Sequence, residues 1–217
     1  RFDAFVDFKL EEMSMTSRLV LAGGPRQSQV AAVLLGAAYK VARNQYSRFD
    51  FTSYSPALAK LYEHLGYRRF VPNFADDDDV YQVPMVLLTE DEAYLRTTKS
   101  PFARFCADHV NSVETSQWFD RAFSDYASQV TELNMDDDKF WDFLTEKMDQ
   151  TPLEAIPLLK GLSYSEAKRL LRVGTILRAW KGDVIVQAGQ TGREAAGQMG
   201  REMYVMLAGT VEVRAGK

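Results

Sequence analysis

Cysteine and histidine are scarce: one cysteine, Cys106, and two histidines, His64 and His109, stand among 217 residues. One thiol excludes an internal disulfide framework and a thiolate cluster for zinc, and two imidazoles are too few for a histidine-rich metal centre. A reducing cytoplasm is therefore the expected location, and no metal is expected. No apolar run approaches the ~20 residues of a membrane helix, and no signal peptide stands at the start. Nor is there an excess of positive charge. The 26 basic and 30 acidic side chains leave a net charge of −4, which argues against a nucleic-acid partner held through its phosphates. The 46% hydrophobic and 26% charged content is that of an ordinary globular chain with room for one or two cores. The chain opens at Arg1 rather than Met and stops at Gly216-Lys217 straight after a strand-like run, which leads us to expect an internal fragment.

Charge divides the chain into three zones. Residues 1–100 carry 12 basic and 13 acidic side chains, residues 101–150 carry 4 and 11, and residues 151–217 carry 10 and 6. This predicts a first domain over 1–100, an acidic and aromatic helical connector over 101–150, and a second domain over 151–217.

In the first zone Ser17–Leu21 reads as a strand and Gly23-Gly24-Pro25 as its breaker. Val30, Val33, Leu34, Ala37, Ala38 and Val41 recur at helical spacing between Ser28 and Asn44 and predict an amphipathic helix buried on that stripe. Ser47–Ser53 alternates, with Phe49 and Phe51 on one face. Ser55-Pro56 signals a helix start and Gly66 its end. Tyr67–Phe70 and Val80–Leu88 complete an antiparallel pair. The fold class is α+β, an αβ layer followed by the connector and a partial antiparallel β jelly roll.

The connector carries three aromatic stripes: Phe102, Phe105, Cys106 and Val110; Trp118, Phe119, Ala122, Phe123, Tyr126 and Val130; Phe140, Trp141, Phe143, Leu144 and Met148. Such faces must be buried, between domains or in a homodimer. The last zone opens with a capping box, Ser163 and Glu166, and continues in short strands over Thr175–Trp180, Asp183–Gln187, Met203–Leu207 and Thr210–Arg214. Gly192-Arg193-Glu194 and Gly200-Arg201-Glu202 repeat at a period of eight and lengthen one loop.

A helix that starts directly after a strand offers free N–H groups and a positive dipole end to an anion, with Arg26 placed to add charge. The run Leu58-Ala59-Lys60-Leu61-Tyr62-Glu63-His64-Leu65-Gly66-Tyr67-Arg68-Arg69-Phe70 resembles the late helix–strand signature of GNAT-type acyltransferases: Tyr, two polar residues, hydrophobe, Gly, aromatic. In that superfamily an early turn, Arg/Gln-x-x-Gly-x-Gly/Ala, grips the pyrophosphate of acyl-CoA or an acyl-carrier phosphopantetheine. The matching run is Arg26-Gln27-Ser28-Gln29-Val30-Ala31, with Gln29 in place of the usual glycine. Thr16–Val20, Val83–Leu88 and Leu95 with Ser100-Pro101 are similar to the N-acyl amino acid synthase branch, related to autoinducer synthases.

The resemblance implies an N-acyltransferase acting from an acyl-carrier or CoA thioester on a small amine. Leu19, Leu21, Arg26, Ser28, Gln29, Val30 and Ala31 would bind the thioester cofactor, Tyr62 would protonate the leaving thiolate, and Glu12 (or Glu11) would be the base. His64, two residues past Tyr62, faces solvent, and Asp76–Asp79 is a solvated acidic loop. The alternative is a non-catalytic regulatory or scaffold protein with a degenerate acyltransferase fold. A short-chain acetyltransferase would differ only in its donor.

Ile156–Ser163, Lys181–Gly189 and Arg201–Val213 resemble the opening of a cyclic nucleotide-binding domain. The family's phosphate cassette would follow Lys217, so no nucleotide-binding residue is assigned. Cyclic nucleotide is expected as a ligand only of a complete parent.

Overall fold

The structure is a computed structural model describing residues 3–17, 27–54, 58–75, 81–108, 112–127, 135–174 and 203–213, with the single positions 176, 179, 181 and 185. The chain forms two compact units, one of Arg1–Phe74 with Gln82–Gln129 and one of Ala75–Tyr81 with Val130–Lys217. The dividing point after Gln129 falls inside the aromatic stretch 101–150.

The first unit is built on one open, mixed sheet. Strands β1 (Met13–Met15), β2 (Phe49–Tyr54), β3 (Arg68–Arg69), β4 (Phe74–Ala75) and β5 (Tyr81–Leu88) are ordered β1-β2-β5-β3, with β4 also pairing β5. β1 and β2 are parallel, in the register Ser14 to Asp50. Helix α1 (Gln27–Asn44) lies between them in the chain, as a parallel pair requires, since its connection must cross over. β5 pairs antiparallel with β2 and with β3, so the predicted pairing of 67–70 with 80–88 is present.

Phe49 and Phe51 point to one face of β2, where Phe5, Phe70, Val86, Leu88, Phe119 and Phe123 enclose them. Phe5, carried by the 3-10 turn Asp3–Phe5, meets Phe49 and Phe51 edge-on at 5.1 and 4.9 Å. Each such ring contributes about 2–3 kcal/mol on burial. Phe119 belongs to α4 (Glu114–Ala122), and Phe123 follows it. Ala122, by contrast, is exposed. The second aromatic stripe is thus core of the first unit, through Phe119 and Phe123.

Helix α1 forms where the spacing predicts it but turns the other way. Ala31, Leu35, Tyr39 and Ala42 are buried, whereas Val30, Val33, Leu34 and Val41 are exposed. Apolar residues line nearly the whole circumference of this helix, so periodicity alone does not select a face. Tyr39 does: its hydroxyl donates to the Thr89 carbonyl at 2.8 Å, and its ring stacks on Phe102 at 4.6 Å. Ala31 and Ala42 keep that face narrow. Phe102 and Cys106, on the 3-10 helix Pro101–Asp108, are buried there too.

Helix α2 (Ala59–Leu65) ends at Gly66 with φ 105°, the left-handed stop expected. Ser55–Ala57, the predicted start, lie outside the described residues. α3 (Glu92–Thr97) is capped by Asp91, whose carboxylate accepts from the Tyr94 N–H at 3.1 Å.

In the second unit, α6 (Asp137–Met148) buries Phe140, Trp141 and Leu144. Trp141 joins Ile156, Leu159 and Ala167 in a separate core. The short helix α7 (Pro152–Ala155) precedes α8 (Tyr164–Val173), while the short helix α5 (Ser124–Ala127) belongs to the first unit. Ser163 and Glu166 form the expected capping box on α8, with the Ser163 hydroxyl donating to the Glu166 carboxylate at 2.6 Å.

The expected C-terminal strands are not paired within what the structure describes: residues 203–207 and 210–213 have no strand pairing among the described residues, and Met203, Met206, Val211 and Val213 are exposed. A strand exists only against a partner, and these have none among the described residues. Gly209, in the predicted turn, has φ 92°. Most of 175–202, with the Gly-Arg-Glu repeat, lies outside the described residues. Among the described residues no helix is long and apolar enough to cross a membrane.

Candidate functional site

The face of β2 opposite the phenylalanines carries Asp50, Thr52 and Tyr54 (period two), all buried at 4, 4 and 5% exposure. A buried carboxylate is tolerated only when its lone pairs are occupied. Here the hydroxyls of Ser14, Thr16 and Tyr67 do so, donating to Asp50 at 2.7, 2.7 and 2.5 Å. The parallel register sets Ser14 beside Asp50, Thr16 continues β1 with its N–H donated to the Phe51 carbonyl, and Gly66 turns the chain to deliver Tyr67. Ser14 in turn accepts from the Ser47 hydroxyl at 2.9 Å. No cation pairs with Asp50 among the described residues.

Tyr62 lies against this layer. Its ring stacks on Tyr54 with centroids 4.2 Å apart and planes 6° from parallel, and meets Tyr67 edge-on at 5.3 Å. Burial is the main cause that raises its hydroxyl pKa; the Thr52 hydroxyl works the other way, and the charge of Asp50 adds to the rise. Burial likewise pushes Tyr67 well up, reinforced by the adjoining Asp50 charge, and pushes Tyr54 up, reinforced by Glu63. All three phenols therefore stay protonated through the neutral range. One hydroxyl is left over: Tyr54 Oη is buried without a hydrogen-bond partner among the described residues, whereas the Thr52 hydroxyl meets that of Tyr62. At the outer end Glu63, itself buried, accepts from Arg69 at 2.7 Å.

Glu12 belongs to a different constellation. It ends the 3-10 turn Leu10–Glu12, accepts from the Lys9 N–H at 2.9 Å and pairs with Arg48 at 3.2 Å. Arg48 also reaches Glu90 at 3.4 Å and Thr115 at 2.6 Å, and Glu90 meets Arg43 at 3.7 Å. The Lys9 amide above all, with help from Arg48, holds the Glu12 carboxyl below its ordinary pKa against the opposing effect of burial. That makes it a weaker base than a free glutamate.

Of the other sequence candidates, Leu19, Leu21 and Arg26 lie outside the described residues. Ser28 and Gln29 fall in the first turn of α1, described there as backbone only. Val30 is exposed and Ala31 buried. Ser28 and Gln29 thus stand at the start of the helix, where amide groups lack intrahelical acceptors, and Ala31 lies past that turn. His64 is exposed, as expected, and Asp76–Asp79 are outside the described residues.

The residue the sequence analysis missed is Asp50. Its signal was a lone carboxylate between Phe49 and Phe51, which alternation assigns to the face away from the aromatic core. That reads equally as a solvent face until β1 and α2 are known to cover it. Among the described residues no group of three His, Cys, Asp or Glu side chains could hold a metal ion. No protein-family model, no curated protein and no solved structure matches the chain.

Proposed function

We propose that this chain is part of an N-acyltransferase that moves an acyl group from an acyl-carrier or CoA thioester to an amine. The observation that carries the reading is the β1–α1–β2 crossover. In such a unit the connecting helix begins at the carboxyl edge of the parallel strands, the edge where ligands of open αβ sheets bind. Thr52 and Tyr54 end β2 toward that edge, and Tyr62 stacks on Tyr54 there. Free amides of the Gln27–Val30 turn supply an anion site for the pyrophosphate or phosphate of the thioester carrier.

In the reaction the amine nitrogen attacks the thioester carbonyl carbon, the C–S bond breaks and the thiolate takes the Tyr62 hydroxyl proton. The phenolate so formed recovers a proton from the acylated nitrogen. A phenol held protonated by burial suits that donor role. The resemblance of 156–213 to a cyclic nucleotide-binding domain adds a regulatory module to the proposal, on sequence grounds.

A second reading, a non-catalytic scaffold on a degenerate acyltransferase fold, is favoured by one observation: Glu12 is engaged by Lys9 and Arg48 and is not a free base. Thiol release from long-chain and acetyl thioesters in the presence of amines separates the two. The acyltransferase reading expects release, and Tyr62→Phe to lower kcat by about 100-fold or more with thioester KM little changed. No release from either donor supports the scaffold.

A further inference from the structure

The described residues leave a long helix face apolar and open. On α1, Val30, Val33, Leu34 and Val41 are 49, 70, 48 and 53% exposed, and Ala37 and Ala38 between them are exposed as well. They recur at i, i+3, i+4, i+7, i+8 and i+11, so they form one stripe of about three turns, roughly 16 Å long. Single exposed apolar residues need no explanation, whereas a continuous stripe marks an interaction surface. Two of its features say what covers it. The steps of 4, 3 and 4 between Val30, Leu34, Ala37 and Val41 are those of a seam between two helices packed side by side. The side-chain sizes are also self-complementary. Bulky Val33 and Leu34 stand in the first half of the stripe, and small Ala37 and Ala38 in the second. Against an antiparallel copy of itself, with a two-fold axis between Leu35 and Gly36, Val33 falls opposite Ala38 and Leu34 opposite Ala37, with Val30 opposite Val41 at each end. Charge agrees with that direction. Gln27–Asn44 contains no acidic residue, and Lys40 lies beside the stripe with its ammonium 4.4 Å from the Phe105 ring centre. Antiparallel pairing sets the two Lys40 side chains at opposite ends and opposes the helix dipoles, whereas parallel pairing brings the two like charges together.

We propose that the outer face of α1 is the contact surface of a homodimer, in which the α1 helices of two copies of this chain pack antiparallel about a two-fold axis. The stripe presents about 450 Å² of apolar surface per copy, so the pair hides about 900 Å², close to the lower end of specific interfaces. That size fits a reversible dimer in the micromolar range and not an obligate one. A homodimer expected through the aromatic connector is thereby relocated: Phe119 and Phe123 of the connector are core of the first unit, and α1 supplies the open face. The inference is independent of the acyltransferase reading.

The test is sedimentation velocity of the full chain between about 1 and about 200 µM. The expected result is a shift with concentration from monomer to dimer. Val33→Glu and Ala38→Lys, each alone, should weaken the dimer about tenfold or more, because each buries a lone charge in the seam. Both positions are exposed in the single chain, so neither variant should change the melting temperature of the dilute protein by more than about 2 °C. The double variant, Val33→Glu with Ala38→Lys, should recover dimerisation, since the antiparallel register sets the two introduced charges opposite each other. A chain that stays monomeric throughout overturns the proposal, and so does a dimer that Val33→Glu leaves intact, which would use another face. A dilute-protein melting temperature that falls by several degrees in Val33→Glu also overturns it, because the stripe is then covered within the chain itself. A double variant as weak as the single ones overturns the antiparallel register.

Discussion

Tyr67→Phe removes one atom, and the structure fixes what that atom does. The Tyr67 hydroxyl is one of three donors to Asp50, at 2.5 Å, and the carboxylate it serves is 4% exposed. Hydrogen bonds to charged groups contribute about 1.5–3 kcal/mol each. Phenylalanine fills the same ring volume, so no cavity term is added. The expected loss is about 2 kcal/mol, a fall in melting temperature of roughly 8 °C at about 4 °C per kcal/mol. Urea unfolding followed by tyrosine fluorescence and by far-UV circular dichroism measures it. The decisive form is a cycle with Asp50→Asn. Once the charge is gone the Tyr67 hydroxyl has lost its acceptor, so Tyr67→Phe should then cost at least about 1 kcal/mol less than it does in the parent. Losses that add within about 0.5 kcal/mol would refute the view that the hydroxyls act as a set around one charge.

Three further outcomes are expected. Gly66→Ala places a Cβ on a backbone at φ 105° and against Leu95 Cδ2, a side chain with no exposure; denaturant titration should show a loss of about 2–5 kcal/mol, relieved in part by Leu95→Ala. Glu12 has a folded pKa below its unfolded value, so it contributes stability above about pH 4.3 that is lost as pH falls through the folded pKa; melting temperatures between pH 7 and pH 3 should fall less steeply in Glu12→Gln. Ser163→Ala removes the cap of α8 and should cost the second unit about 1 kcal/mol by urea titration.

What the sequence made legible was local. Gly66 ends a helix because its φ is one that side chains avoid, and Ser163 with Glu166 caps one because the two groups reach each other across a single turn. The antiparallel pairing of 67–70 with 80–88 follows from a short connection. The site depended on what covers each surface, which spacing does not encode. The apolar residues around α1 fit burial on either side, and the choice was made by Tyr39 reaching Thr89, 50 residues on. Asp50 sits where an alternating strand places a solvent residue, and only the parallel neighbour bringing Ser14 and Thr16 explains its burial. Phe5 carries no periodic signal at all, yet its ring lies within 6 Å of Phe49, Phe51, Phe70 and Phe123.

The two sides of β2 impose different rules on divergence. On the phenylalanine side one large apolar residue can replace another at modest cost, so positions there drift singly. On the opposite side Ser14, Thr16 and Tyr67 answer to one charge. Loss of Asp50 would strand three hydroxyls, and loss of a hydroxyl would leave the charge under-served. Lineages descended from this protein should therefore keep those four residues together or abandon them together, replacing the layer with an apolar one in few steps.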